Sequence, residues 1–324
     1  MLYELEFFVD FSIVVNDFAS LTLDGIVVGA IYALVALGYT LVYGVLRLIN
    51  FAHSEIFMMG TMTAVFVTSI LGFTGYEDPL PLWRFFLVFA LIVIASSVVS
   101  GGAAVILEIV AYRRLRHMGA SRLSSLISAI GASFFLTESF RLLTDSRNLD
   151  FPRMISKEPL FQFSSAYVTQ DKLLVLAGAA ILFYGLNRVI NHTRLGLGIR
   201  AVSQDERTSV LMGVNVNRVI SFTFLIGGVL AGAGSAFYMV FYEVTKSNVG
   251  FLIGISAFTA AVLGGIGNIR GALIGSFALG LFQQYTAAVL GYNWRDVVTF
   301  VVLVLVLLVK PTGLFGEALQ KARV

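Results

Sequence analysis

The 324 residues are 58% hydrophobic and only 13% charged, with a mean hydropathy of +0.88, whereas a soluble globular domain carries about 25% charge. The net charge of +3 arises from bases in short loops between apolar runs, which reports membrane topology and gives no reason to expect a nucleic-acid partner. With no cysteine and only three histidines, disulfides, thiol catalysis and cysteine-held metals are excluded, and an all-histidine metal site would need every histidine; no metal site is expected.

In chain order, the first 20 residues carry Glu4, Glu6, Asp10 and Asp17 but no Lys or Arg. A secretory signal starts with basic residues, so an uncleaved amino-terminal segment is expected. A membrane-crossing helix needs ~20 apolar residues. Suitable runs lie near 21–46, 53–71, 84–110, 123–144, 172–190, 219–241, 250–267, 271–290 and 296–309; 250–267 and 296–309 are short enough to be partial spans. This predicts an all-α polytopic membrane protein with about nine transmembrane helices (eight to ten, if a half-helix forms around 40–55), in one domain over 1–324 of a cell membrane.

The basic residues divide by side. Arg113, Arg114, Arg116 and Arg122 fall in one connection; Arg188, Arg194, Arg200, Arg207 and Arg218 line or flank another; Arg270, Lys310, Lys321 and Arg323 follow on the same side. The opposite connections hold Glu77, Asp78, Asp145, Asp150, Glu158, Asp171 and Glu243. Cytoplasmic loops are enriched in Lys and Arg, so the amino terminus is expected outside and the carboxyl terminus in the cytoplasm.

Five local features bear on function. Between the first two spans, Arg47, Asn50, His53 and Glu55 form a polar cluster. Such residues at membrane depth are costly and must be satisfied by protein or water. Asn50 and His53 are expected to cap a broken helix and Glu55 to pair with Arg47; direct substrate contact is the alternative. Small residues one turn apart (Gly25 and Gly29, Gly228 and Gly232, Gly271 and Gly275, Ser276 and Gly280) suit close helix packing, within the chain or at a subunit interface. Span 123–144 aligns Ser121, Ser124, Ser125 and Ser128 on one edge, as pore lining or as backbone-bonded hydroxyls. Beyond them Glu138, Arg141 and Asp145 are placed for an ion-pair ladder.

The fourth feature is residues 191–218. Gly196 and Gly198 are expected to break the preceding helix, and Ala201 to Met212 to form a short helix with Ala201, Val202, Val210 and Leu211 inward and Asp205, Glu206 and Arg207 in water, ended by Gly213. The helix is either a lever for a cytoplasmic partner or a connector resting on headgroups. The fifth is the glycine-rich break at Gly264, Gly265, Gly267, Asn268, Arg270 and Gly271, either a discontinuous element beside a path or a tight turn, with Asn268 and Arg270 placed to bind freed carbonyls. It lacks both the Gly-x-Gly-x-x-Gly spacing and a Gly-Lys-Ser/Thr ending, so the chain is not expected to hydrolyse ATP.

Three segments taken together are similar to one family. They are Gly29-Ala-Ile-Tyr-Ala-Leu-Val-Ala-Leu-Gly-Tyr-Thr-Leu-Val-Tyr-Gly-Val-Leu-Arg-Leu-Ile-Asn-Phe-Ala-His-Ser-Glu55; Arg200-Ala-x-x-x-Asp205 with Gly213-Val-Asn215; and Leu263-Gly-Gly-Ile-Gly-Asn-Ile-Arg-Gly-Ala-Leu-Ile-Gly275. Over about residues 20–315 the chain resembles the LivH-like permease subunits of ABC importers for branched-chain amino acids. It departs from them at Ser54, where the family usually has Gly, and over 145–170. The resemblance implies a second permease subunit, two cytoplasmic ATPases that bind ATP and Mg, and an extracytoplasmic substrate-binding protein, with no cofactor in this chain. It also makes 191–218 the coupling loop, carried by Arg200, Ala201, Asp205 and Gly213. Asn50, His53, Glu55, Ser124 and Ser128 remain candidates for the translocation path. Permeases for sugars or for urea and short amides are the near alternatives, and an ion-coupled secondary carrier is the more distant one.

Overall fold

The structure is a computed structural model that describes residues 11–73 and 79–316, apart from the side chains of Phe11, Ile13 and Arg122. Glu4, Glu6, Asp10, Glu77, Asp78, Lys321 and Arg323 therefore lie outside the described residues. A short helix α1 (Phe11–Asn16) leads into α2 (Phe18–Leu46), followed by α3 (His53–Ile70) and α4 (Leu82–Leu107). Helix α4 runs on through a π-helical turn (Glu108–Arg113) and α5 (Arg114–His117); α6 spans Arg122–Leu143. The strands β1 (Leu149–Asp150), β2 (Pro159–Phe163) and β3 (Ala166–Thr169) precede α7 (Gln170–His192). Then come α8 (Arg194–Gln204), α9 (Glu206–Leu211), α10 (Val216–Tyr242), β4 (Val244–Thr245), α11 (Val249–Gly264), α12 (Ile269–Leu290) and α13 (Trp294–Val309).

Each predicted apolar run is helical, and among the described residues six helices are long and apolar enough to cross a membrane. These are α2, α4 with its extension, α6, α7, α10 and α12. At 1.5 Å per residue, the 16 residues of α11 and of α13 reach about 24 Å, short of a ~30 Å hydrocarbon core. The fold is that of an all-α polytopic membrane protein, to which the strands add two small antiparallel sheets, β1 with β4 and β2 with β3.

Helix α2 forms the axis, with α10, α12, α11 and α7 packed around it. Small residues set that packing, since lipid gives helices no hydrophobic reason to associate. At Gly29 an added Cβ would stand 2.8 Å from the Cα of Phe277 in α12, and Gly25 meets Leu281 and Gly280 equally closely. Gly228 and Gly232 lie against Ser96, Ser100 and Gly101 of α4, and Gly275 against Ala260 and Gly264 of α11. All four small-residue pairs thus serve packing within the chain.

One correction concerns the arginine-rich connection. Arg113, Arg114 and Arg116 lie on helix rather than in a loop. The cause is Glu108, wholly buried, which accepts from Arg113 Nη2 at 2.6 Å, from Ser221 Oγ at 2.9 Å and from Arg116 at 3.4 Å. The π-helical turn places both arginines on that carboxylate and against the start of α10, where Arg116 also reaches Asn217. The predicted ladder on α6 shrinks as well. Arg141 bonds Glu138 (Nε–Oε2, 2.7 Å), while Asp145 sits in a left-handed turn and faces Arg147 at 3.8 Å.

Segment 145–170 is clasped to the end of α10. Strand β1 pairs with β4, Phe151 N donates to the Glu243 carbonyl, and Arg153 and Lys157 reach the Glu243 carboxylate at 3.0 and 2.9 Å. Burial pushes that carboxyl up, but the two cations outweigh it and hold it below its ordinary range.

Candidate functional site

Helix α2 ends at Arg47, whose left-handed backbone (φ 52°) closes the last turn by bonding Tyr43 O at 2.7 Å. The chain then turns back inward before α3 begins. His53 packs edge-on against Tyr39 (centroids 4.8 Å apart), and an added Cβ on Gly38 would collide with its ring. Gly38 lies eight residues before the last residue of α2, about 12 Å along the helix at 1.5 Å per residue. The polar start of α3 is therefore at depth, where irregular backbone is tolerated only if protein or a polar cavity surrounds it.

Asn50, His53 and Glu55 are all buried. Tyr112 donates to Asn50 Oδ1 at 3.0 Å. Glu55 Oε1 accepts from Ser54 and from Ser133 of α6, both at 3.2 Å. Asn50 Nδ2, His53 Nε2 and Glu55 Oε2 have no hydrogen-bond partner among the described residues. The expected Glu55–Arg47 pair does not form. Arg47 is exposed and donates to the carbonyl of Ser203 in α8, because the turn after α2 carries it away from the buried start of α3. Of the α6 serines, Ser133 joins this cluster. Ser121 caps the helix by accepting from Ser124 N, and Ser124 and Ser128 are half-buried.

Residues 191–218 depart from expectation in their break points. Helix α7 stops at His192, and Thr193 caps α8 by accepting from Gly196 N at 3.1 Å. Gly196 and Gly198 thus lie inside a helix; Gly196 lets it press against the carbonyl of Ile190 at the end of α7. Arg200 donates to that same carbonyl, and Ala201 is half-buried on α8. The predicted helix over Ala201–Met212 is divided at Asp205, whose extended backbone and capping carboxylate start α9. The Thr208 hydroxyl, with the Arg207 amide, holds the Asp205 carboxyl below its ordinary range.

The break resets the helical phase. Val202 is buried as expected, but Val210, Leu211 and Met212 are 57%, 85% and 80% exposed, and Ser209 takes the inward place. Gly213, at φ +82°, closes α9 as expected, a conformation that side chains bearing a Cβ seldom adopt.

The glycine-rich break is a tight turn between α11 and α12. Gly265 and Gly267 have φ of +106° and +95°, and the backbones of Gly264 and Gly271 nearly touch. Asn268 Oδ1 caps α12 through the amides of Arg270 and Gly271, both at 3.1 Å, and its Nδ2 donates to Phe315 O at 2.9 Å. The freed carbonyls of Leu263 and Gly264 go instead to the amides of Leu314 and Phe315, because the segment after α13 folds against the turn. Arg270 is exposed.

Sequence reasoning missed two buried polar centres. Glu108 is one. The other joins Gln283 of α12 to Tyr32, Ser256, Thr299 and Arg295. Both carried a legible signal, an ionisable or amide side chain within or at the start of an apolar run.

These features define a multi-pass helical membrane protein with polar groups gathered at depth and a short exposed helix, α9, at its basic end. Residues 21–307 match the family model described as the permease component of branched-chain amino acid transport systems. The chain is 40% identical to the high-affinity branched-chain amino acid transport system permease protein BraD of Pseudomonas aeruginosa, over 91% of this chain and 94% of that one. It is 37% identical to LivH of Escherichia coli K12, a permease protein of the same description, with the same coverage. A shorter match, 31% over 137 residues, joins 40% of the chain to 42% of the ribose import permease protein RbsC of E. coli K12. No solved structure matches. The chain belongs to the family of permease components of branched-chain amino acid transport systems.

Proposed function

We propose that this chain is the membrane-spanning permease subunit of an ATP-driven importer for branched-chain or other apolar amino acids. Its near full-length similarity to BraD and LivH carries the reading. In it, about nine helices (eight to ten) cross the membrane, α11 and α13 as short or partial spans, with the amino terminus outside and the α8–α9 end in the cytoplasm. The partners are a second permease subunit, two cytoplasmic ATPases that bind ATP and Mg, and an extracytoplasmic binding protein.

The α8–α9 pair is the coupling element, with Arg200, Ala201, Asp205 and Gly213 shaping it. Val210, Leu211 and Met212 form an apolar surface on an otherwise charged helix, suited to docking on an ATPase. Arg47 and Arg200 tie α8 to α2 and to α7, so displacement of α9 reaches the axial helix. About 12 Å in from that same end, beside Gly38 of α2, Glu55, His53 and Asn50 offer polar atoms at depth beside Ser133. Ser124 and Ser128 follow along the same helix.

Among the rival readings, the ribose permease resembles only 40% of the chain. An ion-coupled carrier needs a free acid in mid-span; Asp24 pairs with Lys172 at 2.6 Å, so that reading would fall to Glu55, whose Oε1 alone accepts from Ser54 and Ser133. The test is reconstitution. In liposomes holding all the subunits and the binding protein, uptake of leucine, isoleucine or valine is expected to require ATP, and the isolated chain to accumulate none under a proton or sodium gradient. Uptake by the isolated chain would overturn the reading. Orientation is tested in whole cells: a lone cysteine at Glu158 should react with an impermeant thiol reagent and one at Met118 should not.

A further inference from the structure

A cavity of about 370 Å³ opens at the end of the molecule that holds segment 145–170, between the starts of α11 and α13 and the end of α10. That volume lies at the small end of the range for ligand pockets. Its wall is unusual in chemistry. Tyr32, Tyr238, Tyr242 and Tyr292 supply hydroxyls and ring faces, and Val249 and Ile253 supply an apolar side. Arg295 is set into this wall, 7% exposed.

Arg295 has no carboxylate within ion-pair distance among the described residues, although Asp296 stands exposed on the rim of the same cavity. Its guanidinium lies 4.9 Å from the Tyr292 ring centroid, bonds the Tyr242 hydroxyl and makes a long bond, 3.4 Å, to Gln283 Oε1. Gln283 Oε1 is already held by the Tyr32 hydroxyl at 2.7 Å, and its amide donates to Thr299 at 2.5 Å and Ser256 at 3.3 Å. The amide is thus committed to an internal network and cannot turn to serve the arginine better. A guanidinium carries five N–H donors in a fork that matches a carboxylate. A buried cation in this position is strongly in need of an anionic partner.

We propose that this cavity binds the substrate by its carboxylate, with Arg295 as the partner of the carboxylate and the Val249–Ile253 wall taking an aliphatic side chain. The proposal rests on the reading that the cargo is an apolar amino acid. It makes the cavity a receiving site between the binding protein and the membrane path. The tyrosine surround and the long Gln283 bond keep the arginine placed without neutralising it.

The chain contains no cysteine, so Val244→Cys on the cavity rim would carry its sole thiol. In the complete transporter held in lipid nanodiscs, an impermeant maleimide is applied and labelling is read on this subunit alone. Leucine and 4-methylpentanoate, which keep the carboxylate, are expected to slow labelling, and leucinamide, which lacks it, is not. Adding Arg295→Gln should raise the concentration needed for protection about tenfold or more, the scale of one lost charged hydrogen bond. The double variant's assembly with its partners and its ATP hydrolysis serve as folding checks.

Equal protection by leucine and leucinamide, or unchanged protection in the Arg295→Gln protein, would overturn the proposal. So would leucine transport by a complex in which no ligand protects the thiol, leaving the importer reading intact. Protection by 4-methylpentanoate that depends on Arg295, in a complex that transports no apolar amino acid, would keep the carboxylate site and remove the importer reading instead.

Discussion

Helices α2 and α6 read alike as apolar membrane spans, yet the fold uses them in opposite ways. In α2, 94% of the most apolar stretch is buried within the chain; in α6 the figure is 6%. Helix α2 is the more apolar of the two, but apolarity does not set burial: α4 with its extension is more apolar still, and only 22% of its most apolar stretch is buried. Residue size separates α2 from α6: α2 places Gly25, Gly29, Gly38 and several alanines on faces that meet neighbours, whereas α6 presents Leu123, Ile127, Phe134 and Phe135 outward and touches mainly α3 and the π-helical turn. In lipid, apolar content brings a helix into the membrane, and small residues determine how deeply other helices enclose it.

Two glycines break this comparison most sharply. Gly29→Leu forces a branched side chain against the backbone of α12, and overpacking of that kind costs ~1–3 kcal/mol or more. Loss of monodisperse protein on gel filtration is expected. Gly131 of α6 has nothing within 4 Å of an added Cβ, so Gly131→Leu should shift stability by no more than about 0.5 kcal/mol. A Gly131→Leu chain that folds but fails to assemble with its partners would assign the open face of α6 to a subunit contact, whereas normal assembly leaves it to lipid.

A polar link between α6 and the inner helices is the next target. Ser133 of α6 reaches Glu55 of α3. Ser133→Ala should cost ~1 kcal/mol, the net worth of a typical hydrogen bond, and loosen α6 alone. Glu55→Gln keeps the size and an acceptor oxygen, so the fold should persist; if the carboxylate faces the path, reconstituted transport should fall about tenfold or more while ATP hydrolysis by the complex continues. Unchanged transport in Glu55→Gln would reduce the cluster to a structural role.

Much of this architecture was legible in the sequence. Each apolar run became a helix, and each small-residue pair became a packing contact, because both depend on local composition. What escaped depended either on partners brought together by the fold or on a local cap that outcompetes the helix. Arg47 was expected to meet Glu55, eight residues away, but the inward turn separates them and leaves Arg47 to Ser203. Asp205 was expected on a continuous helix, yet its short carboxylate captures the Arg207 amide and the Thr208 hydroxyl and starts a new one. Arg295 passed unnoticed because the meaning of a cation at a helix start depends on the tyrosines that α2 and α10 bring to it.

The α8–α9 break gives the next smaller effect. Gly213→Val strains a left-handed position, and Asp205→Arg removes the cap on α9; neither touches the α2 core. Both proteins should therefore purify with the ATPases and hydrolyse ATP, with transport per ATP reduced. Normal transport by both variants would remove α9 from the coupling role.

The smallest effect belongs to the clasp on segment 145–170. Glu243 has a folded-state pKa below its ordinary value, because Arg153 and Lys157 outweigh the effect of burial. A depressed carboxyl contributes stability that is complete above its unfolded pKa and is lost as pH falls through the lower folded value. A spin label on a cysteine at Glu158 should therefore stay equally immobile from neutral pH down to the ordinary carboxyl range and become more mobile only below it. Glu243→Gln should give the mobile spectrum at every pH, and salt should have a similar though weaker effect, since Arg153 is largely exposed and its pair is screened. If the label instead loosens near neutral pH, or stays fixed in Glu243→Gln, then the β1–β4 pairing and the Phe151 amide hold the segment without help from the ion pairs.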